Sequence, residues 1–252
     1  MTVILDPQAA PTPSVIDPDT GLPIGPEVDP TPADWPKRTV LEGQYVRLEP
    51  IAERHIDDLF RVSTVPDAAK RFRYLFDTVP LSREDMAAWV FRMSASEDPF
   101  VFAVMDKASG RAEGRQSFMR ITPAHRSIEI GNIYWGPAIA GTRAATEAQF
   151  LFAKYAFEVL GYRRYEWKCD ALNEPSRNAA IRFGFTFEGL FRRAVINKGR
   201  SRDTAWYAMI EEEWPALKQA YLAWLDPANF DADGVQKRRL SDLTRAALLC
   251  HA

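Results

Sequence analysis

The sequence predicts an α+β fold, an α/β sandwich in which one mixed central sheet of about seven strands is flanked by helices. Short apolar runs of period two recur between residues 41 and 211, the mark of half-buried strands. Capped runs of helical period separate them. No segment repeats at a fixed spacing, which sets solenoids and propellers aside.

Residues 41–49 open the sheet, with Tyr45-Val46-Arg47-Leu48-Glu49 alternating and Pro50 closing the run. Residues 51–62 place Ile51, Ile56, Leu59 and Phe60 on one helical face, with Glu53, Arg54, Asp57 and Asp58 between them. Ser82 followed by Arg83-Glu84-Asp85 is an N-cap with an acidic first turn, and Met86, Trp89, Val90 and Met93 continue a second helix. Phe100–Asp106 and residues 114–121 flank the turn Ala108-Ser109-Gly110, and Ser127–Trp135 adds a third consecutive strand. An alanine-rich helix over residues 142–160 ends at Gly161. A strand over 165–170, a helix over 175–183 stopped by Gly184, strands over 185–193 and 205–211, and a helix Trp214–Leu225 with Pro215 in its first turn complete the order.

Three segments follow from composition. Residues 1–36 carry prolines from Pro7 to Pro36 at short intervals, which argues against helix or ladder, so this is an arm, either loose or laid on the domain or on the partner of a homodimer. Residues 37–225 form the domain, and the charged residues 226–252 form an extension expected at its periphery. A net charge of -2 supplies no basic field for nucleic acid. Two cysteines and three scattered histidines offer neither a disulfide framework nor a metal-ligand spacing. No long apolar run and no basic leader are present, so the expectation is a cytoplasmic protein with no membrane partner.

The chemistry-bearing block is the strand ending at Tyr134-Trp135, the connection Gly136-Pro137-Ala138-Ile139-Ala140-Gly141, and the helix opening Thr142-Arg143-Ala144-Ala145-Thr146-Glu147-Ala148. A helix N-terminus leaves its first amides unpaired and carries partial positive charge, so a pyrophosphate fits there. A plain strand-to-helix connection, with alanines for close packing, is the alternative. A second block, Asn173-Glu174-Pro175-Ser176-Arg177-Asn178-Ala179-Ala180, follows the short strand, and Gly184-Phe185 and Glu188-Gly189 close it.

With Asn173, Ser176, Ala179, Gly184, Phe185, Glu188 and Gly189 at this spacing, and Thr146-Glu147-Ala148 on the preceding helix, the chain resembles the Gcn5-related N-acetyltransferase (GNAT) superfamily, RimJ/RimL-like branch, over residues 41–211. The resemblance implies an acyl-CoA N-acyltransferase fold, its sheet opened as a V between two parallel strands. It implies acetyl-CoA as co-substrate, with no metal, along Ile133, Tyr134 and Trp135. Gly141, Thr142, Arg143, Ala144, Ala145 and Thr146 would meet the pyrophosphate, Asn173 would contact the cofactor, and Ser176 would protonate the leaving thiolate. The family loop carries Gln or Arg, then Gly, then Gly or Ala, where this chain has Ala140, Arg143 and Ala145. A carboxylate frequent in the branch is replaced by Val195.

The implied activity is transfer of an acetyl group to a primary amine of a protein N-terminus or a small molecule. A regulatory module that binds acyl-CoA without turnover is the alternative. Glu129, on the strand that delivers the thioester, is the first candidate base, and Asp203 in the turn Gly199-Arg200-Ser201-Arg202-Asp203 is the second. Strict alternation puts Glu129 on the face of Gly131 and Ile133, with Ile128, Ile130, Asn132 and Tyr134 opposite, unless a bulge intervenes. Lys198 to Arg202 read as a basic rim.

Overall fold

The computed structural model describes residues 14–249, in two units that divide after Thr31. In the first unit, β1 (Val15–Ile16) and β2 (Pro23–Ile24) pair antiparallel. This corrects the expectation that the proline-rich arm forms no ladder. The Asp17 carboxylate accepts from the Asp19 N–H and the Thr20 hydroxyl, which folds the turn. Asp17 N–H then bonds the Leu22 carbonyl, so the N–H that Pro23 lacks is not required. Residues 1–13 of the arm lie outside the described residues.

The second unit is built on β3 (Leu41–Glu42), β4 (Val46–Pro50), β5 (Phe100–Asp106), β6 (Arg111–Thr122), β7 (Ser127–Trp135), β8 (Arg164–Asp170), β9 (Thr186–Asn197) and β10 (Arg200–Ile210). They form one eight-stranded sheet in the order β3-β4-β5-β6-β7-β8-β10-β9. Only the β7–β8 pair is parallel. Seven helices accompany the sheet among the described residues: α1 (Ile56–Ser63), α2 (Ala68–Arg71), α3 (Arg83–Ala95), α4 (Arg143–Lys154), α5 (Glu174–Arg182), α6 (Trp214–Leu225) and α7 (Leu240–Leu249).

The sheet separates two cores. On one face Phe102, Phe118, Ile128, Ile130 and Tyr165 pack with Phe152 of α4 and with α6 and α7, and the Phe118 and Phe152 rings stack at 4.0 Å. On the other, Val101, Ala103 and Tyr134 pack with Ile56 and Leu59 of α1 and Met86 and Val90 of α3. The α3 start is a full capping box: Ser82 Oγ accepts from Asp85 N–H while the Asp85 carboxylate accepts from Ser82 N–H.

Several elements differ from the sequence reading. Helix α2 is new, and β10 begins at Arg200, which places Asp203 in a strand and not in the expected turn. The first strand is split into β3 and β4 by a turn that Glu147 of α4 organises. Its buried carboxylate accepts the backbone N–H groups of Gln44, Tyr45 and Val46 at 2.8, 2.6 and 2.8 Å. The long helix ends as α at Lys154 and widens into a π turn over Tyr155–Val159, where the Leu160 N–H reaches the Tyr155 carbonyl. Within the stretch expected at the periphery, α7 buries Leu240 and Leu243, and the Thr244 hydroxyl donates to the Arg182 carbonyl of α5. Leu240, Leu243 and Ala247 share one helical face, and this short stripe is masked by the charges around it.

Glu147→Ala removes a charged acceptor from three amides at once. Urea unfolding is expected to show a loss of about 3 kcal/mol, and a loss below about 1 kcal/mol contradicts the tie between α4 and β4.

Candidate active site between the parting strands β7 and β8

The parallel pair is only partly zipped. Registered neighbours run from Ser127 and Arg164 to Ile130 and Trp167, after which Gly131 to Trp135 on β7 and Lys168 to Asp170 on β8 face one another unpaired. A bulge lies where the strands part. Ser117 opposes Gly131 and Arg115 opposes Tyr134, so Asn132 and Ile133 together face Gln116 of β6. Asn132 takes φ of 50°, a left-handed conformation that asparagine tolerates better than most residues. Its side-chain oxygen accepts from buried Arg115 at 3.0 Å; Arg115 also donates to Asp77 and lies 4.1 Å from the Trp89 ring centroid.

The bulge corrects the strict alternation. Ile128 and Ile130 face the α4 core, but beyond Asn132 it is Ile133 and Trp135 that pack there, while Tyr134 turns into the α1 core. Glu129 therefore shares its face with Tyr134 and not with Ile133. The Tyr134 hydroxyl donates to the Val62 carbonyl and its ring lies 4.9 Å from Phe72, so only its backbone borders the opening.

A cleft of about 460 Å³ occupies the split. Of the residues singled out from the sequence, Glu129, Ile133, Trp135, Asn173 and Ser176 line it. Gly141 to Thr146 continue from Ala140, which also lines it. Asp203 is not in the lining; its carboxylate accepts the Arg193 N–H at 2.7 Å and stands at the register shift between β9 and β10.

At the loop end, residues 136–142 are wound by bonds from Ile139 and Ala140 to the Gly136 carbonyl and from Thr142 to the Ile139 carbonyl. Gly141 supplies the left-handed φ of 78° that lets the chain turn into α4. Thr142 occupies the N-cap without capping, because its hydroxyl donates back to Ile139 at 2.7 Å. The amides of Arg143, Ala144 and Ala145 are left without an acceptor among the described residues, and they open the helix with its positive end. Arg143 is clamped between the rings of Tyr45 and Phe230, at 5.0 and 4.4 Å. Arg182, which has no carboxylate partner among the described residues, donates twice to the Thr146 hydroxyl.

At the β8 end, Asn173 caps α5, its side-chain oxygen accepting the Ser176 N–H at 3.3 Å. The Trp167 indole N–H donates to Ser176 Oγ at 3.0 Å. An indole N–H can only donate, so one serine lone pair is engaged and the serine's own hydrogen is directed elsewhere, toward the Cys169 sulfur. Burial pushes the neighbouring Cys169 thiol up, against the hydrogen bond from Ser176.

The floor of the split is a charge network. Glu129 and Glu166 are direct neighbours across the parallel pair, and Lys168 lies between them, 3.0 Å from Glu129 Oε2 and 2.6 Å from Glu166 Oε2. Arg120 engages Glu129 Oε1 at 2.6 Å, Arg164 engages Glu166 at 2.7 Å, and Arg164 also grips Glu188. The two carboxyls titrate in opposite directions. Burial pushes Glu129 up, more than Lys168 and Arg120 pull it down. Glu166 is also raised by burial, but its bonds to Lys168 and Arg164 outweigh this and hold it low. Glu129 Oε2 is buried and, despite the ion pair, accepts no directed hydrogen bond. Lys168, Arg120 and Trp167 were missed in the sequence; the alternation Glu166, Lys168, Asp170 on one strand was the available signal.

Residues 46–186 match the family model described as an acetyltransferase (GNAT) domain, a stretch that spans β4 to the start of β9 and contains the whole split. The chain belongs to the GNAT family. The GNAT relatives include a GCN5-related N-acetyltransferase from Brucella melitensis, 56% identical and superposing with a TM-score of 0.84 over 85% of this chain and 98% of that one. A probable acetyltransferase (GNAT family) from Chromobacterium violaceum ATCC 12472 is 37% identical, with a TM-score of 0.71 over 77% and 100% of the two chains. The uncharacterized N-acetyltransferase YnaD of Bacillus subtilis (strain 168) is 28% identical over 88 residues, 35% of this chain and about half, 51%, of that protein. No described helix is long and apolar enough to cross a membrane.

Proposed function

We propose that this GNAT chain is an N-acetyltransferase that takes the acetyl group of acetyl-CoA and passes it to a primary amine of a protein N-terminus or a small molecule. One observation carries the reading: β7 and β8 part after Ile130 and Trp167, between the open amides of α4 on one side and Ser176 with Glu129 on the other. The open edge of β7 from Gly131 to Trp135 offers backbone groups to the amides of a pantetheine arm, as a sheet edge accepts an added strand. The first turn of α4 suits the pyrophosphate. The residues present therefore fit acetyl-CoA. When bound, it supplies an electrophilic thioester.

The chain supplies the proton transfers. As the new C–N bond forms and the C–S bond breaks, the amine must lose a proton and the sulfur must be stabilised. Glu129 Oε2, buried and paired with Lys168 at 3.0 Å without a directed hydrogen bond, accepts the amine proton, and its raised pKa matches it to that work. Ser176, with a lone pair held by Trp167, donates a hydrogen bond from its hydroxyl to the departing sulfur and keeps its proton, so the charge on the leaving thiolate is stabilised. Asp203, bound to the Arg193 amide, is the weaker candidate for the base. The spacing of Asn173, Ser176, Gly184, Phe185, Glu188 and Gly189 supports placing the chain in the RimJ/RimL-like branch of the family.

Thiol release from acetyl-CoA in the presence of a panel of primary amines tests the reading, and binding without release on every amine would return the chain to the regulatory alternative. Ser176→Ala is expected to lower kcat about tenfold or more while the Kd for acetyl-CoA, measured by calorimetry, stays unchanged. Full kcat in this variant removes the serine from the chemistry.

Glu129 works as a base only when deprotonated, so activity falls as pH drops through its pKa. Burial raises that pKa, which sets the acidic limb of kcat/KM above the ordinary carboxylate range. Glu129→Gln should abolish this limb and lower kcat/KM at the optimum by about tenfold or more. An unchanged pH profile would pass the role to another group.

A further inference from the structure

Arg202 of β10 lines the same cleft, although its sequence context reads as a basic surface rim. It is only 7% exposed. Its Nε is buried without an acceptor, and its guanidinium makes no hydrogen bond or ion pair among the described residues. The one directed contact is the Phe76 ring, 5.0 Å from the guanidinium carbon. Asp170, whose charge favours the guanidinium, gives a side-chain oxygen to the Leu172 N–H and does not bridge to it. The other positive groups of the lining are engaged: Arg120 with Glu129, Lys168 with Glu129 and Glu166, Arg71 with Asp67.

A guanidinium stays charged, and a buried charge without a partner is unfavourable unless something completes it. Buried polar groups are otherwise satisfied as a rule, and an exception calls for a ligand or a special role. The pyrophosphate does not answer to it, because in the proposed reading that group sits at the α4 N-terminus, whereas Arg202 lines the cleft with Asp170, Cys169, Arg120 and Glu129. Those residues mark the end of the cleft where an acceptor amine would meet its base. We propose that Arg202 receives an anionic group, a carboxylate or a phosphate, carried by the acceptor itself, so that the substrates are anionic primary amines and not polyamines. This rests on the proposed acetyltransferase reading. The planar fork of arginine takes either oxyanion through paired N–H bonds, and Phe76 holds the plane of the fork.

The test pairs acceptors with and without the anion, with rates referred to the neutral amine: phenylalanine against phenylalaninamide, and phosphoethanolamine against ethanolamine. The wild-type protein should favour the anionic member of at least one pair by tenfold or more in kcat/KM, and the pair that responds tells carboxylate from phosphate. In Arg202→Met that ratio should fall toward one, and Arg202→Lys should retain part of it. Arg202→Met should also keep or raise the Tm of the free protein, since it removes an unpaired buried charge, and keep the calorimetric Kd for acetyl-CoA. Equal rates within both pairs, with acetyl-CoA bound and amines turned over, overturn the inference and leave the acetyltransferase reading standing. A Tm lowered by several degrees in both variants assigns Arg202 a structural role and overturns it as well. Failure of the wild-type protein to bind acetyl-CoA defeats the acetyltransferase reading first.

Discussion

The bulge at Asn132 is the constraint on which the site depends. A parallel pair that stayed in register would satisfy every backbone group and leave no opening. Two residues of β7 set against one of β6 break that register just where β8 stops pairing. The left-handed backbone at Asn132 is held from outside by Arg115, itself anchored by Asp77 and stacked on Trp89 of α3. The same displacement reverses which side chains meet which core: Ile133 and Trp135 join the α4 face, and Tyr134 locks β7 to α1. The far edge of β7 is thereby free to accept an extended ligand while its near edge remains fixed in the sheet.

Below the bulge the strands are still joined, and there they bring two carboxylates side by side. Like charges directly opposite one another in a sheet repel, so Lys168 between them is required for the pairing to hold. The neutralisation is uneven. Glu166 keeps two short cationic contacts, whereas Glu129 is more deeply buried and has one oxygen without a directed bond. Environment alone thus separates two identical functional groups, the pKa of one held low by its cationic contacts and that of the other raised by burial.

Much of the fold was legible because it rests on local signals. The Ser127–Trp135 strand and the Trp214–Leu225 helix have the boundaries their patterning predicted, since alternation in one and Pro215 at the start of the other are local facts. The split of the first strand was not legible, because the turn at Gly43 and Gln44 is organised by a carboxylate about a hundred positions later, Glu147. Ser176 and Asn173 were found through their spacing in a motif, whereas Lys168 and Arg202 carry no motif and acquire their surroundings only when β8 lies against β7 and β10. Arg143, expected to face phosphate, is held between Tyr45 and Phe230, an aromatic pair drawn from opposite ends of the domain.

In the proposed function one ligand completes both the open edge of β7 and the open first turn of α4. Hydrogen–deuterium exchange with and without acetyl-CoA reads these amides directly. Protection confined to Gly131–Trp135 and to the Arg143, Ala144 and Ala145 amides, with the paired stretch Ser127–Ile130 unchanged, is the predicted result. Binding of acetyl-CoA that leaves both segments exchanging as in the free protein, or that protects a different face of the sheet, would contradict it.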